Sequence, residues 1–238
     1  MAIAGEYQLF TSSIKFFVCY QGSTLGDAEI LQKTQLSPRK IELPENILQR
    51  HVFNKKTIGF FIGASNTDKV LHPKNWAIIF DYIKTKYKNN FDIAMFGFGA
   101  VETKLSLMLI DEIKKLGYTQ SDIISFVGLN ELETDIKYCG GLSLSLTNDS
   151  GFMHVSSLFN IPTISFFGYT PADNFMTQVF NEDKFFKSKS TMSCSPCLYP
   201  SRCKHKVIDN DLSFRNCMVH KRDDIFEKID NALNLTKI

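Results

Sequence analysis

Neither sign of charge dominates this 238-residue sequence: 27 basic residues face 25 acidic ones, a net +2. So weak a balance gives no footprint for nucleic acid, though a local basic site for a small anion remains compatible with it. No stretch reaches the ~18 consecutive apolar residues of a membrane span. The longest apolar runs, Ile58–Ile62 and Ile164–Phe167, are strand-sized. The opening MAIAGEYQLF has no basic segment and carries Glu6 early, unlike a secretory leader. No repeat of fixed period and no low-complexity segment interrupts the chain. The expected compartment is the cytoplasm, peripheral at the inner membrane at most, where six cysteines do not read as disulfides.

What is present, from Thr57 onward, is alternation. TIGFFIG (57–63), FDIAMFG (91–97), IISFVG (123–128), LSLSLT (142–147) and PTISFFG (162–168) read as buried strands. Between them lie helical patterns: one opened by Pro73, one over Val101–Leu116 stopped by Gly117, a short one capped by Asn130, and one through GFMHVSSLFN. This predicts an α/β fold, a Rossmann-like parallel sheet covered on both faces. The segment Lys221–Leu235 predicts a last helix with Ile225, Phe226, Ile229 and Leu233 on one face, an apolar stripe available to dock another domain or a second copy. Residues 1–56 are too few for a second such domain, and SPRKIELPEN reads as a linker.

Three loops at predicted strand C-termini carry the chemistry, because open α/β sheets bind ligands there. In IGASNTDK (62–69), Gly63 and Ala64 permit close backbone approach, Ser65 offers a hydroxyl and Lys69 a charge, a set suited to phosphate. FGFGAVE (96–102) has two glycines before a helix but fails the GxGxxG spacing; Glu102 sits where a helix dipole alone would favour it. LTNDSGFMH (146–154) runs a strand into a turn and a helix, with Asp149 or Ser150 as cap. The N–H groups of Ser150 and Gly151 make an anion site there, with His154 one turn in.

GASNTDKVLHPKNW and NDSGFMHVSSLFNIPTISFFGYTPAD, in this order and spacing, resemble glycosyltransferase family 9, the ADP-heptose:lipopolysaccharide heptosyltransferases. The resemblance covers about residues 57–235 and implies the C-terminal half of a GT-B fold. It implies donor-binding Ser65, Glu102, Ser150, Gly151 and His154, with Lys69 and Asp149 as catalytic residues at the diphosphate and the sugar, and no catalytic metal. It implies an ADP-sugar, such as ADP-heptose, as donor and a lipopolysaccharide core or other glycan as acceptor. On this reading residues 1–56 are the tail of an acceptor domain plus linker and 57–238 the nucleotide-sugar domain, which makes a missing N-terminal domain or a homodimer the expected partner. Gly26-Asp27 superficially matches the family's early base motif. A non-catalytic sugar-nucleotide-binding remnant, or one half of a split transferase, stays open as the alternative.

Cys194, Cys197, Cys203 and Cys217 fall within 24 residues. CxxC with two further cysteines is the spacing of a structural four-thiolate zinc or iron site, with free thiols as the other reading. Four protein ligands would leave no open position for catalysis.

Overall fold

The computed structural model describes residues 49–172, 181–197 and 203–236. The segment 1–48, with Asp27 and the proposed acceptor-domain tail, lies outside the described residues. Six strands form one parallel sheet in the order β3-β2-β1-β4-β5-β6. They are β1 Thr57–Phe61, β2 Asp92–Phe96, β3 Ile124–Ser125, β4 Leu144–Asn148, β5 Thr163–Phe167 and β6 Phe185–Lys189. Every residue of β1, β4 and β5 is buried, as continuous apolar runs require when helices cover both faces.

Alternate side chains divide between two layers. Ile58, Phe60, Ile93, Met95, Leu146 and Phe166 point into the larger one, covered by α1 (Pro73–Tyr87), α2 (Ala100–Lys115) and α5 (Arg222–Asn234). Phe61, Ala94 and Phe96 point the other way, against α3 (Leu132–Gly140) and α4 (Gly151–Leu158). Pro73 occupies the first turn of α1 behind a His72 cap, and Gly117, at φ +92°, ends the α2 region in the left-handed conformation that favours glycine.

Several expectations need correction. Strand β3 is two residues long rather than six, because it is the sheet edge and half of Ile124 faces solvent. Asn130 does not cap α3, whose N-cap is Glu131; its amide instead donates to the buried Asp135 at 2.9 Å. The sixth strand β6 and an antiparallel hairpin, β7 (Lys206–Asp209) with β8 (Leu212–Arg215), were not anticipated. The apolar stripe of α5 is not free for docking: Ile225, Ile229, Ala232 and Leu233 are buried in the chain's own core, and Phe226 stacks on Tyr82 at 3.8 Å.

Candidate functional site

Strand order reverses between β1 and its neighbour β4, so the loops leaving these two strands diverge and open a crevice at the C-terminal edge. Asn148, at the end of β4 and fully buried, ties them together. Its Oδ1 accepts from the Leu71 N–H at 2.9 Å, and its Nδ2 donates to the carbonyls of Ile62 at 2.9 Å and Gly63 at 3.2 Å. Each end of the 62–71 loop is thereby fixed to β4. The Asn66 side chain accepts from the Asp68 N–H and starts the short turn Thr67–Lys69.

That turn delivers Lys69 to Asp149. The ammonium lies 2.7 Å from Asp149 Oδ2, with the two side chains 19% and 6% exposed. Thr170 Oγ1 donates to the same oxygen at 2.7 Å. The Tyr169 ring passes beneath the ammonium, 5.9 Å from its centroid. His154 sits within the field of both charges. Burial, partly opposed by Asp149, brings its pKa down to about 4, so at neutral pH it is an uncharged imidazole.

The start of α4 is built differently from the expected cap. Ser150 holds the N-cap position, but its hydroxyl is 3.0 Å from Thr147 Oγ1, and no side chain caps the helix. The Met153 N–H donates to the Ser150 carbonyl at 3.1 Å, and the N–H groups before it are left for an incoming acceptor. A methyl group placed on Gly151 would meet no atom of the described residues within 4 Å, so among them that approach is open. Ser65 is exposed on the β1 loop nearby.

Glu102 belongs to the same edge, one strand over, in the first turn of α2 behind Gly99 at φ +99°. Its side chain lies in a slot between two glycines. A Cβ on Gly63 would stand 2.5 Å from its Oε1, and one on Gly97 2.8 Å from its own Cβ. Burial raises its pKa above the ordinary glutamate value. Gly63 thus adjoins both Glu102 and, through its carbonyl, Asn148. Gly63→Ala should push the flexible end of Glu102 into solvent, costing under about 1 kcal/mol of stability while its pKa falls back toward the ordinary value. Gly97→Ala presses on the rooted end and should cost ~1–3 kcal/mol. Carbon-detected NMR titration of Glu102 beside urea unfolding checks both; an unmoved Glu102 pKa in Gly63→Ala would refute the slot.

Residues that sequence reasoning missed complete the site from below. Arg215, on β8 and with a side chain only 3% exposed, bonds through Nη2 to Asp68. Its guanidinium also lies over the Tyr169 ring, 4.9 Å from the centroid. Lys206 reaches the other oxygen of Asp68 at 3.8 Å. Asn148 carried a signal as a polar residue at the end of a buried run, and Asp68 as an acid beside Lys69 in the polar loop; Arg215 had none.

The cysteine segment packs beneath this arrangement. Cys217 is buried against Gly168, and burial pushes its thiol up to about 11, with Cys203 and Cys194 acting in the same direction. The Cys197 N–H donates to the Tyr169 carbonyl at 2.9 Å. Among the described residues, no three His, Cys, Asp or Glu side chains are arranged to hold a metal ion, and residues 198–202 lie outside the description. Cys139 is a buried thiol against Ser156, as an isolated core residue should be.

The family whose sequence pattern matches is glycosyltransferase family 9 (heptosyltransferase), over residues 8–207. The chain is 25% identical over 198 residues to lipooligosaccharide heptosyltransferase 2 of Campylobacter jejuni subsp. jejuni serotype O:2, covering 82% of this chain and 56% of that one. It is 28% identical over 120 residues to lipopolysaccharide heptosyltransferase 1 of Campylobacter coli, covering 50% of this chain and 33% of that one. Among solved structures, E. coli ADP-heptose lps heptosyltransferase II superposes with a TM-score of 0.57 at 15% identity, over 83% of this chain and 54% of that one. The family 9 transferase of Veillonella parvula DSM 2008 gives 0.57 at 16% identity, over 89% and 58%. At such identities the structures speak for the fold. The chain spans about half the length of the curated relatives it matches.

Proposed function

Since the chain belongs to glycosyltransferase family 9, we propose that its described residues form the donor half of a transferase, moving a heptose-like sugar from an ADP-sugar to a lipopolysaccharide core or related glycan. The observation that carries this reading is the Lys69–Asp149 pair beside the uncapped start of α4, at the crevice where strand order reverses.

Displacement at the anomeric carbon leaves negative charge on a diphosphate. Lys69 and the N–H groups of Ser150 and Gly151 offset that charge without a metal. Asp149 holds the ammonium in place until a phosphate oxygen competes for it, and then remains near the sugar. Neutral His154 offers a hydrogen bond rather than a second charge. Ser65 extends the pocket with its hydroxyl, and Glu102, one strand away, suits ribose hydroxyls. The base that deprotonates the acceptor belongs to the acceptor side; Asp27, the sequence-level candidate, lies outside the described residues. No helix among the described residues is long and apolar enough to cross a membrane.

Calorimetry with ADP tests the reading. Binding should be detectable and should weaken by ~1–3 kcal/mol in Lys69→Ala, the scale of a charge-assisted hydrogen bond. Equal affinity in the wild type and that variant would remove Lys69 from the site.

A further inference from the structure

We infer that Arg215 is a positioning residue for Lys69, holding the phosphate-binding turn through Asp68; the inference rests on the donor-site reading above. The contacts form a closed ring. Arg215 binds Asp68, Asp68 is the chain neighbour of Lys69, and Lys69 pairs with Asp149. Asp149 accepts from Thr170, whose neighbour Tyr169 lies against both the guanidinium and the ammonium. Two cations thus share one aromatic ring from different elements, and each is balanced by its own carboxylate.

The turn's own hydrogen bonds, from the Asp68 and Lys69 N–H groups to Asn66, are local, and Arg215 ties its middle to another element. Thr67–Lys69 is three residues long and begins at an exposed Asn66. Asp68 is buried, and a buried carboxylate is costly without a partner. Without Arg215 its remaining cation is Lys206, 3.8 Å away on a side chain 40% exposed. The carboxylate then gains by turning toward water, and Lys69, bonded to it through one peptide link, turns with it. The guanidinium itself is sealed from solvent, so its route to a ligand runs through Lys69 rather than by contact.

The test uses the full chain and two readouts. Arg215→Met leaves the buried Asp68 with only the half-exposed Lys206, so Asp68→Asn combined with Arg215→Met supplies a variant without that charge should the single one fail to fold. Residue-resolved amine labelling reads Lys69 without any nucleotide. Its rate should rise ~10-fold in the folded variant, while Lys55 and Lys86, paired elsewhere, serve as controls and keep their rates. ADP affinity should fall by a similar factor, and by less than about twofold further when Lys69 is already alanine. A folded variant with wild-type labelling at Lys69 overturns the inference whatever ADP does. Wild-type protein that fails to bind ADP sinks the donor-site reading instead, and leaves the labelling result to decide the role of Arg215.

Discussion

Asn148→Ala should destabilise the chain by about 3–5 kcal/mol, a large fraction of the roughly 5–15 kcal/mol that holds a domain folded. The amide is fully buried and makes bonds in two directions, one to the Leu71 N–H and others to the carbonyls of Ile62 and Gly63. Alanine leaves that N–H without its partner, at roughly 1–3 kcal/mol for a buried group, and strips the two carbonyls as well. A void the size of the amide adds to the loss. Asn148→Asp keeps the acceptor for Leu71 but turns a carboxylate oxygen toward two carbonyls, so it should not rescue. Ser150→Ala, two residues on, removes a hydroxyl that caps nothing and should cost under about 1 kcal/mol. Urea unfolding of the three variants checks the ranking, and an Asn148→Ala loss below that of Ser150→Ala would refute the account.

Acid should unfold this protein early. His154 and His220 each have a pKa brought down to about 4 by burial, against 6.5 in an unfolded chain. Between these values the unfolded state holds the extra proton, so stability falls as pH drops from 6.5 toward 4. Each histidine accounts for on the order of 3 kcal/mol if its full shift is realised. Asp135 works in the opposite sense. Burial raises its pKa to about 6 from 3.8, so the fold holds the proton in that window and gains stability as pH falls through 6. The two histidines outweigh Asp135, so stability falls between pH 6.5 and 4, and the raised pKa of Glu102 trims that loss in the same sense as Asp135. His220, 8% exposed and 3.0 Å from Ser188 Oγ, is the cleaner of the two to remove, because it lies away from the crevice. Denaturant midpoints from pH 7.5 to 4 should show a shallower slope for His220→Gln than for the wild type. Parallel slopes would mean that burial does not hold this imidazole neutral.

The sheet was legible where its strands are buried on both faces. Thr57–Phe61, Asp92–Phe96, Leu144–Asn148 and Thr163–Phe167 are unbroken enough to be read directly, and Pro73 and Gly117 punctuate the helices between and after them. Strand β6 escaped because Phe185–Lys189 mixes two aromatics with two lysines, as suits a sheet edge. The hairpin carries its signal in its turn. Asn210 and Asp211, at φ +50° and +59°, are the residue types that accept left-handed backbone in a two-residue turn. Lys69, Asp149 and His154, which the structure brings together, are legible as candidates because each follows a strand end in sequence. Arg215 is not, because its partner Asp68 lies 147 residues earlier and only the folded hairpin brings them together.

The pairing of β1 with β4 acts as a ruler for the whole crevice. Phe61 stands opposite Thr147, and the next residue of β4 is the asparagine that reaches back to Ile62 and Gly63. Shifting one strand by a single residue would move that amide by about 3.3 Å along the strand axis and turn it to the opposite side. Deletions or insertions inside β1 or β4 therefore act as all-or-none lesions, abolishing the crevice even where a parallel sheet could re-form. Length changes in the α2–β3 connection, beyond the strands that set this alignment, leave the ruler intact. That connection is where variation in chain length is expected to accumulate without loss of the site.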